Sequence, residues 1–256
     1  MITLLWIIVG FTGLCFGSLI TLLSWRIPRS LPIGAVRSRC SSCNTALGVR
    51  DLVPFFSWIF SKASCRHCGE KVHWRYPVTE LITATLFIGL FARYGVSWDY
   101  LTFALLGVLL ITMSVIDFEH YIIPDSLQWA MALLAIAYHL GYTGTHPATL
   151  IANGLLGLSI GLIIKYGFLW IRKKDGLGMG DVKFLLVAGL WISPMGLVLM
   201  LFMSGVFGVI TGLTWRMMGH GERFPFGPAL GVAMYLLLLF PEIEWHFWHM
   251  NQLITH

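Results

Sequence analysis

Two aspartates at the edges of apolar segments are the residues of this sequence best suited to chemistry. Asp117 closes an apolar segment in LLITMSVIDFEHYIIPDSLQ, and Asp181 follows a glycine-rich stretch in GLGMGDVKF. An ionisable side chain at a membrane edge is costly and usually marks a functional site. Two carboxylates brought together there could share one proton, one acting as general base on water and the other as general acid toward a carbonyl group. Asp117 and Asp181 are therefore our candidate catalytic pair.

Each of these acids also has a purely structural interpretation. Asp is favoured at the N-cap of a helix, so Asp181 could simply begin the apolar helix that follows it. Asp117 could be a solvated carboxylate, although at a helix C-terminus it opposes the macrodipole, and we expect it to ionise less readily than Asp181. Asp125 follows Pro124 and is predicted to be an N-cap, whereas Glu119 is either a solvated loop residue or a substitute for Asp117.

The glycines before Asp181 favour the catalytic interpretation. Gly176, Gly178 and Gly180 disfavour a helix and carry no side chains. The backbone before Asp181 should therefore be open, so that an extended peptide could approach the carboxylate closely.

Four of the five cysteines form two C-x-x-C pairs, CSSC at 40–43 and CRHC at 65–68. Two such pairs supply the tetrahedral four-sulfur cage that structural zinc prefers. The predicted ligands are Cys40, Cys43, Cys65 and Cys68. Disulfides, idle thiols and a redox pair are the alternatives, but the segment is predicted below to be cytoplasmic, where disulfides rarely persist. A four-cysteine site has no open position for water, so this zinc would fold a small domain.

The composition is that of an integral membrane protein, since 57% of the residues are hydrophobic and only 11% are charged. Apolar runs long enough to cross the bilayer as helices recur along the chain. The predicted spans are roughly 3–25, 78–94, 100–117, 126–142, 149–171, 182–192, 195–216 and 226–241. The sixth and seventh could form one broken helix. We predict an all-α membrane protein with about eight transmembrane helices and a small zinc-bound cytoplasmic domain between spans one and two.

Lysine and arginine predict the orientation of these spans, because short cytoplasmic loops carry the excess of both. Nine of the seventeen lie between positions 26 and 77. The predicted organisation is a first span at 1–25, a cytoplasmic zinc domain at 26–77 and a membrane domain of about seven spans at 78–256. Both termini would lie outside. This asymmetry and anionic lipid account for the net charge of +5, so we infer no nucleic-acid partner.

In their order along the chain, these features resemble the type IV prepilin peptidases of type IV pilus and type II secretion systems. The matching segments, besides the cysteine pairs, are GSLITLLSWRIP at 17–28, RYPVTE at 75–80, IDFEHYIIPD at 116–125, GLGMGD at 176–181 and FPFGPAL at 224–230. The resemblance implies that Asp117 and Asp181 are the catalytic aspartates. It further implies that the protein removes a short basic leader from prepilins or pseudopilins at the cytoplasmic face of the bacterial inner membrane.

Many members of this family also methylate the new N-terminal amine with S-adenosylmethionine, so the resemblance implies that cofactor as well. Glu80 in RYPVTE is the most plausible carboxylate near the cysteine pairs, but we assign it no role. Two positions depart from the family pattern. A glycine usually lies just before the third cysteine, where this chain has Lys62, Ala63 and Ser64, and an asparagine is common at the position of Thr21.

Two other classes of protein remain open at this point. In a polytopic transporter, Asp117 and Asp181 would relay protons or bind a cation, although such sites tend to lie at the bilayer midplane. In a non-catalytic scaffold, the zinc domain would dock a secretion partner. The scaffold would leave the GLGMGD segment without a purpose.

Overall fold

The computed structural model describes residues 2–34, 37–173, 176–219 and 224–244. The regular secondary structure in these ranges consists of helices. The helices are α1 (Ile2–Arg26), α2 (Phe56–Phe60), α3 (Arg75–Tyr94), α4 (Trp98–His120), α5 (Asp125–Tyr138), α6 (Pro147–Arg172), α7 (Met179–Trp191), α8 (Pro194–Met217) and α9 (Gly227–Leu239). No strand occurs in these ranges, which contain only two isolated antiparallel bridges. The prediction of an all-α protein is confirmed.

Eight of these helices coincide with the eight predicted spans. Four are long and apolar enough to cross a membrane by themselves: Ile2–Arg29 (α1 with the turn that follows it), α4, α6 and α8. The chain is therefore a multi-pass membrane protein. Helices α5, α7 and α9 have 14, 13 and 13 residues, which is about 20 Å at 1.5 Å per residue and shorter than the hydrocarbon layer of about 30 Å. The number of eight spans stays a prediction.

The chain divides into two compact units, residues 1–108 and 109–256. In the first, α1 packs along α3 where two glycines, four residues apart, let the helix backbones approach. A Cβ at Gly13 would lie 2.6 Å from the Cα of Ala84, and one at Gly17 would overlap Glu80. This is the small-residue packing by which apolar helices associate in membranes. The segment that joins α1 to α3 holds the four paired cysteines.

In the second unit, α7 lies at the centre of the packing, with α5, α6, α8 and α9 all in contact with it. A helix that is buried on every side has no polar face, and α7 is apolar around its whole circumference beyond Lys183. Its C-terminal end is fixed to α5 by Trp191, whose Nε1 donates to the backbone oxygen of Met131 at 3.1 Å. The packing of α7 thereby fixes the position of Asp181 in its first turn.

Candidate active site and metal centre

Asp117 lies in the last turn of α4, and its side chain is only 5% exposed. Its Oδ2 accepts a hydrogen bond of 2.8 Å from the backbone N–H of Gly227, the first residue of α9. The N-terminus of a helix is positive, so α9 compensates for the unfavourable position of this carboxylate at the C-terminus of its own helix. This contact could not be inferred from the sequence of α4; the available signal was the FPFGPAL segment, which contains Gly227.

Glycine at position 227 is required by this close approach. A Cβ there would lie 2.8 Å from Oδ2 of Asp117 and 3.3 Å from Cδ1 of Ile123. The first of these separations is far below van der Waals contact and the second is slightly below it, so any larger residue would displace the carboxylate.

Asp181 is the third residue of α7 and is half-buried. Its Oδ2 accepts a hydrogen bond of 3.1 Å from the backbone N–H of Gly178, which occupies the N-cap position. An acidic residue at N3 that reaches back to the N-cap N–H is half of a capping box. Asp181 is therefore not the N-cap that the structural interpretation supposed, although it does satisfy a backbone donor at the start of its helix.

The two carboxylates are brought into one neighbourhood. Asp117 is close enough to interact electrostatically with Asp181, as is the ammonium group of Lys165. Lys165 also donates to the backbone oxygen of Leu177 at 2.9 Å, in the glycine-rich stretch before α7. The end of α4 and the starts of α7 and α9 thus converge on a pair of acids with one cation beside them.

The other two acids considered from the sequence are placed differently. Asp125 is the first residue of α5, whose N-cap is Pro124, so its prediction as an N-cap is wrong by one position. Its carboxylate forms an exposed ion pair of 2.8 Å with Lys183. Glu119 is exposed, in contrast to the buried Asp117. Both differ from the predicted pair in being open to the surroundings.

The four paired cysteines meet in the first unit. Their sulfur atoms all lie within 4.8 Å of one another, and those of Cys40 and Cys68 are 3.8 Å apart. Four thiolates around a tetrahedral zinc with bonds of about 2.3 Å would have sulfurs about 3.8 Å apart. None of these cysteines is disulfide-bonded. The donor set and its spacing therefore fit structural zinc.

Both cysteine pairs have the same local backbone. Cys40 donates its N–H to the backbone oxygen of Thr45 at 3.0 Å, and Cys65 donates to that of Glu70 at 2.8 Å. In each turn one residue adopts the left-handed conformation, Asn44 with φ of 56° and Gly69 with φ of 75°. These are two residue types that tolerate it. Hydrogen bonds between Cys43 and Thr45 lower the pKa of the Cys43 thiol to about 6.

The residues that depart from the family pattern before the third cysteine have an unusual backbone conformation. Lys62 and Ala63 both adopt positive φ, 53° and 56°. The left-handed conformation costs a residue with a side chain roughly 1–2 kcal/mol, and glycine avoids that cost. The backbone at these two positions thus has a conformation suited to glycine, although neither residue is a glycine. Thr21 donates to the backbone oxygen of Ser18 within α1, and nothing further in the structure explains its type.

Glu80 is buried in the first turns of α3, where its Oε2 accepts a hydrogen bond of 2.6 Å from the backbone N–H of Phe55. Phe55 has φ of 62°, so the carboxylate fixes a strained turn before α2. Glu80 therefore has a structural role in the first unit.

Two family models cover most of the chain. The bacterial peptidase A24 N-terminal domain matches residues 11–94, and the type IV leader peptidase family matches residues 103–213. A type 4 prepilin-like proteins leader peptide-processing enzyme of Escherichia coli O78:H11 is 30% identical over 89% of this chain and 93% of that protein. The chain belongs to the type IV leader peptidase family.

Other members of this family from distant bacteria are similar over nearly their whole length. The prepilin leader peptidase/N-methyltransferase of Bacillus subtilis is 31% identical over 90% of this chain and 92% of that protein. That of Neisseria gonorrhoeae is 27% identical over 95% of this chain and 93% of that protein. No solved structure is significantly similar to this chain.

Proposed function

We propose that this protein is an aspartic prepilin peptidase in which Asp117 and Asp181 carry out the cleavage. The observation that carries the proposal is the pairing of these two acids at converging helix ends, in a chain of the type IV leader peptidase family. A transporter is less well supported, because both acids lie in the terminal turns of their helices, whereas transporter sites tend to lie near the bilayer midplane.

The two acids divide the proton transfers between them. Asp181 acts as the base and takes a proton from water, whose oxygen then attacks the scissile carbonyl carbon. Asp117, protonated, gives its proton to the carbonyl oxygen as the tetrahedral intermediate forms. Asp181 then passes its proton to the leaving nitrogen, the C–N bond breaks, and the intermediate's hydroxyl returns a proton to Asp117. Each acid ends in the protonation state in which it began.

The pairing of the acids supports a topology in which α5 and α6 both cross the membrane. Asp117 ends α4 and Asp181 begins α7, so the chain between them crosses an even number of times if the acids share one face. Helix α6 is long enough to cross, and α5 would then cross too. Helix α5 continues directly into a π-helical turn, His139–Thr143, so that helical backbone extends over 125–143.

The same reasoning applies to the next pair of helices. Gly227, at the start of α9, donates to Asp117 and therefore lies at the same face. The chain from Asp181 to Gly227 must therefore cross the membrane an even number of times. Because α8 is long enough to cross, α7 would cross as well. The excess of lysine and arginine at 26–77 and 172–174 supports the assignment of this face to the cytoplasm. We therefore propose a bacterial inner-membrane enzyme whose active site and zinc domain face the cytoplasm.

The proposed substrates are prepilins, which the names of the relatives give as the substrates of those proteins, or the similar pseudopilins. Methylation of the new N-terminus with S-adenosylmethionine is proposed on the same basis, because two of the relatives are named N-methyltransferases. We assign Cys40, Cys43, Cys65 and Cys68 to a structural zinc in a domain at 26–77, between a first span at 1–25 and a membrane peptidase domain at 78–256. The fit of the four sulfurs to tetrahedral zinc supports that assignment.

One experiment tests both proposed activities. The purified protein in detergent is incubated with a prepilin and S-adenosylmethionine, and mass spectrometry identifies the N-terminus of the product. We expect cleavage of the leader and a mass increase of one methyl group. An uncut prepilin would contradict the peptidase, whereas a cut but unmethylated product would contradict only the methyl transfer.

A further inference from the structure

Gln128 makes a buried hydrogen bond to the residue that precedes Asp181. Its side chain is 4% exposed and lies in the first turns of α5. Its Nε2 donates to the backbone oxygen of Gly180 at 3.1 Å, across 52 residues of sequence. Gly180 is joined directly to Asp181, so this amide holds the peptide unit that carries the proposed base.

The other end of the same amide is unusual. Oε1 of Gln128 is buried, and no donor lies within reach of it among the residues that the structure describes. The amide cannot be turned around to correct this, because Oε1 would then face the oxygen of Gly180, and two acceptors repel. Leaving a buried acceptor without a partner is unfavourable, and an apolar side chain of similar size would avoid that cost. Packing alone does not account for glutamine at this position.

The contact also completes a set of restraints on the start of α7. On one side of Gly180, Cβ of Ile123 approaches so closely that a Cβ on the glycine would lie 3.1 Å from it. On the other side, the Asp181 carboxylate is bound to Gly178. Gln128 supplies the remaining restraint, a directional one, because a hydrogen bond fixes the orientation of the Gly180 carbonyl while an apolar contact only limits its position.

We propose that Gln128 is a positioning residue, which acts through the Gly180 carbonyl to hold Asp181 in its catalytic orientation. The proposal rests on the peptidase function proposed above. A catalytic group must be held within a fraction of an ångström, and displacement from a distance can cost a hundredfold in rate. The loss of this hydrogen bond should therefore reduce kcat and leave substrate binding nearly unchanged.

Cleavage of a purified prepilin in detergent by two variants tests this role. Gln128→Met keeps the size of the side chain but has no donor, and we expect kcat to fall on the order of tenfold to a hundredfold with KM within about twofold. A kcat near that of the wild type would overturn the proposal.

The second variant, Gln128→Glu, separates positioning from packing. At neutral pH its carboxylate would repel the Gly180 oxygen, but once protonated, below about pH 6, it can donate to that oxygen as the amide does. We expect the ratio of variant to wild-type kcat to rise as the pH falls. The charged groups that already face the site, Asp117, Asp181 and Lys165, are the same in both proteins, so the ratio isolates the new carboxyl. A ratio that stays flat would overturn the proposal in favour of packing.

Lys183→Gln is the matched control, because it removes the exposed ion pair between the same two helices, whose side chains are 48% and 60% exposed. We expect its kcat to stay within about twofold of the wild type, since exposed pairs contribute little. Melting temperature in detergent shows whether each variant is folded. A wild-type protein that leaves the prepilin uncut would contradict the proposed function itself, whereas normal cleavage by both Gln128 variants would contradict only the positioning role.

Discussion

The carboxylates of Asp117 and Asp181 are each held on one oxygen by the first backbone N–H groups of a helix. Both therefore lie at positive helix ends, α9 for Asp117 and α7 for Asp181. From the sequence, Asp117 was assigned only the negative end of α4, which predicted unequal ionisation of the two acids. The hydrogen bond from Gly227 removes that asymmetry, because each carboxylate now accepts from the positive end of a helix.

Asparagine at either proposed catalytic position, 117 or 181, should abolish cleavage without unfolding the protein. In Asp181→Asn the amide oxygen can still accept from Gly178, and in Asp117→Asn from Gly227, but neither side chain can carry a proton. We expect kcat to fall on the order of 10²–10⁴-fold for each, measured by prepilin cleavage with zinc content and melting temperature unchanged. The matched control is Asp125→Asn at an exposed acid, which should remain active. Near-normal cleavage by either catalytic variant would refute the pair.

Gly227→Ala should reduce activity chiefly through Asp117. Its methyl group would lie 2.8 Å from Oδ2, so the carboxylate must move away from the N–H that holds it. We expect cleavage to slow by about tenfold or more. Gly89→Ala adds the same methyl group to α3 where no atom lies within 4 Å, and it should cleave at the wild-type rate. Equal rates for the two variants would show that the Asp117–Gly227 contact is dispensable.

At the scale of the helices, α6 and α7 interlock through glycine. A Cβ at Gly157 of α6 would overlap the backbone oxygen of Leu185 on α7, and a Cβ at Gly189 of α7 would overlap that of Asn153 on α6. The two backbones are therefore in direct contact, as in other small-residue helix pairs in membranes. The packing positions the whole of α7, including Asp181.

Gly157→Ala should accordingly destabilise the protein, while Gly167→Ala on the same helix should not. The first methyl group collides with the backbone of α7 and is expected to cost about 1–3 kcal/mol as overpacking. The second meets no atom within 4 Å and should gain up to about 1 kcal/mol from the higher helix propensity of alanine. Unfolding in detergent, followed by circular dichroism, measures both. Equal stabilities would contradict the close α6–α7 contact.

The proposed zinc domain should lose its metal when any one of the four cysteine ligands is removed. Cys40→Ser and Cys68→Ser are expected to lower the zinc content from about one ion per chain toward zero, and to open the 37–73 segment to proteolysis, because metal binding and folding are coupled in such modules. Elemental analysis and limited trypsin digestion measure the two effects. Cys15→Ser, at the cysteine within α1, should retain zinc. A wild-type protein without zinc would refute the site.

At the scale of the whole chain, the two acids can meet only if short helices cross the membrane together with long ones. Length and composition select four helices, yet four crossings by those helices alone would leave Asp117 and Asp181 at opposite faces. The hydrogen bond from Gly227 to Asp117 adds the same constraint on α7 and α8. The arrangement of the site thus favours the eight-span topology.

Reporter fusions test this topology. Alkaline phosphatase, which is active only outside the cytoplasm, should be inactive when fused after Tyr121 or Lys173 and active when fused after Gly144. The physical reason is the excess of lysine and arginine in the cytoplasmic loops. If one of the Tyr121 and Lys173 fusions were active and the other inactive, the two acids would lie on different faces of the membrane, and the site would be refuted.

The sequence by itself determined the elements of this protein and the residue types that carry its chemistry. Apolar runs define helices because each segment must satisfy its own backbone in lipid, and two C-x-x-C pairs predict one four-sulfur cluster because the spacing within each pair is local. Only the tertiary structure decided which groups surround the acids. The contacts Gly227–Asp117 and Gln128–Gly180 join residues 110 and 52 positions apart. Such contacts depend on how helices pack, and no periodicity or local spacing encodes them.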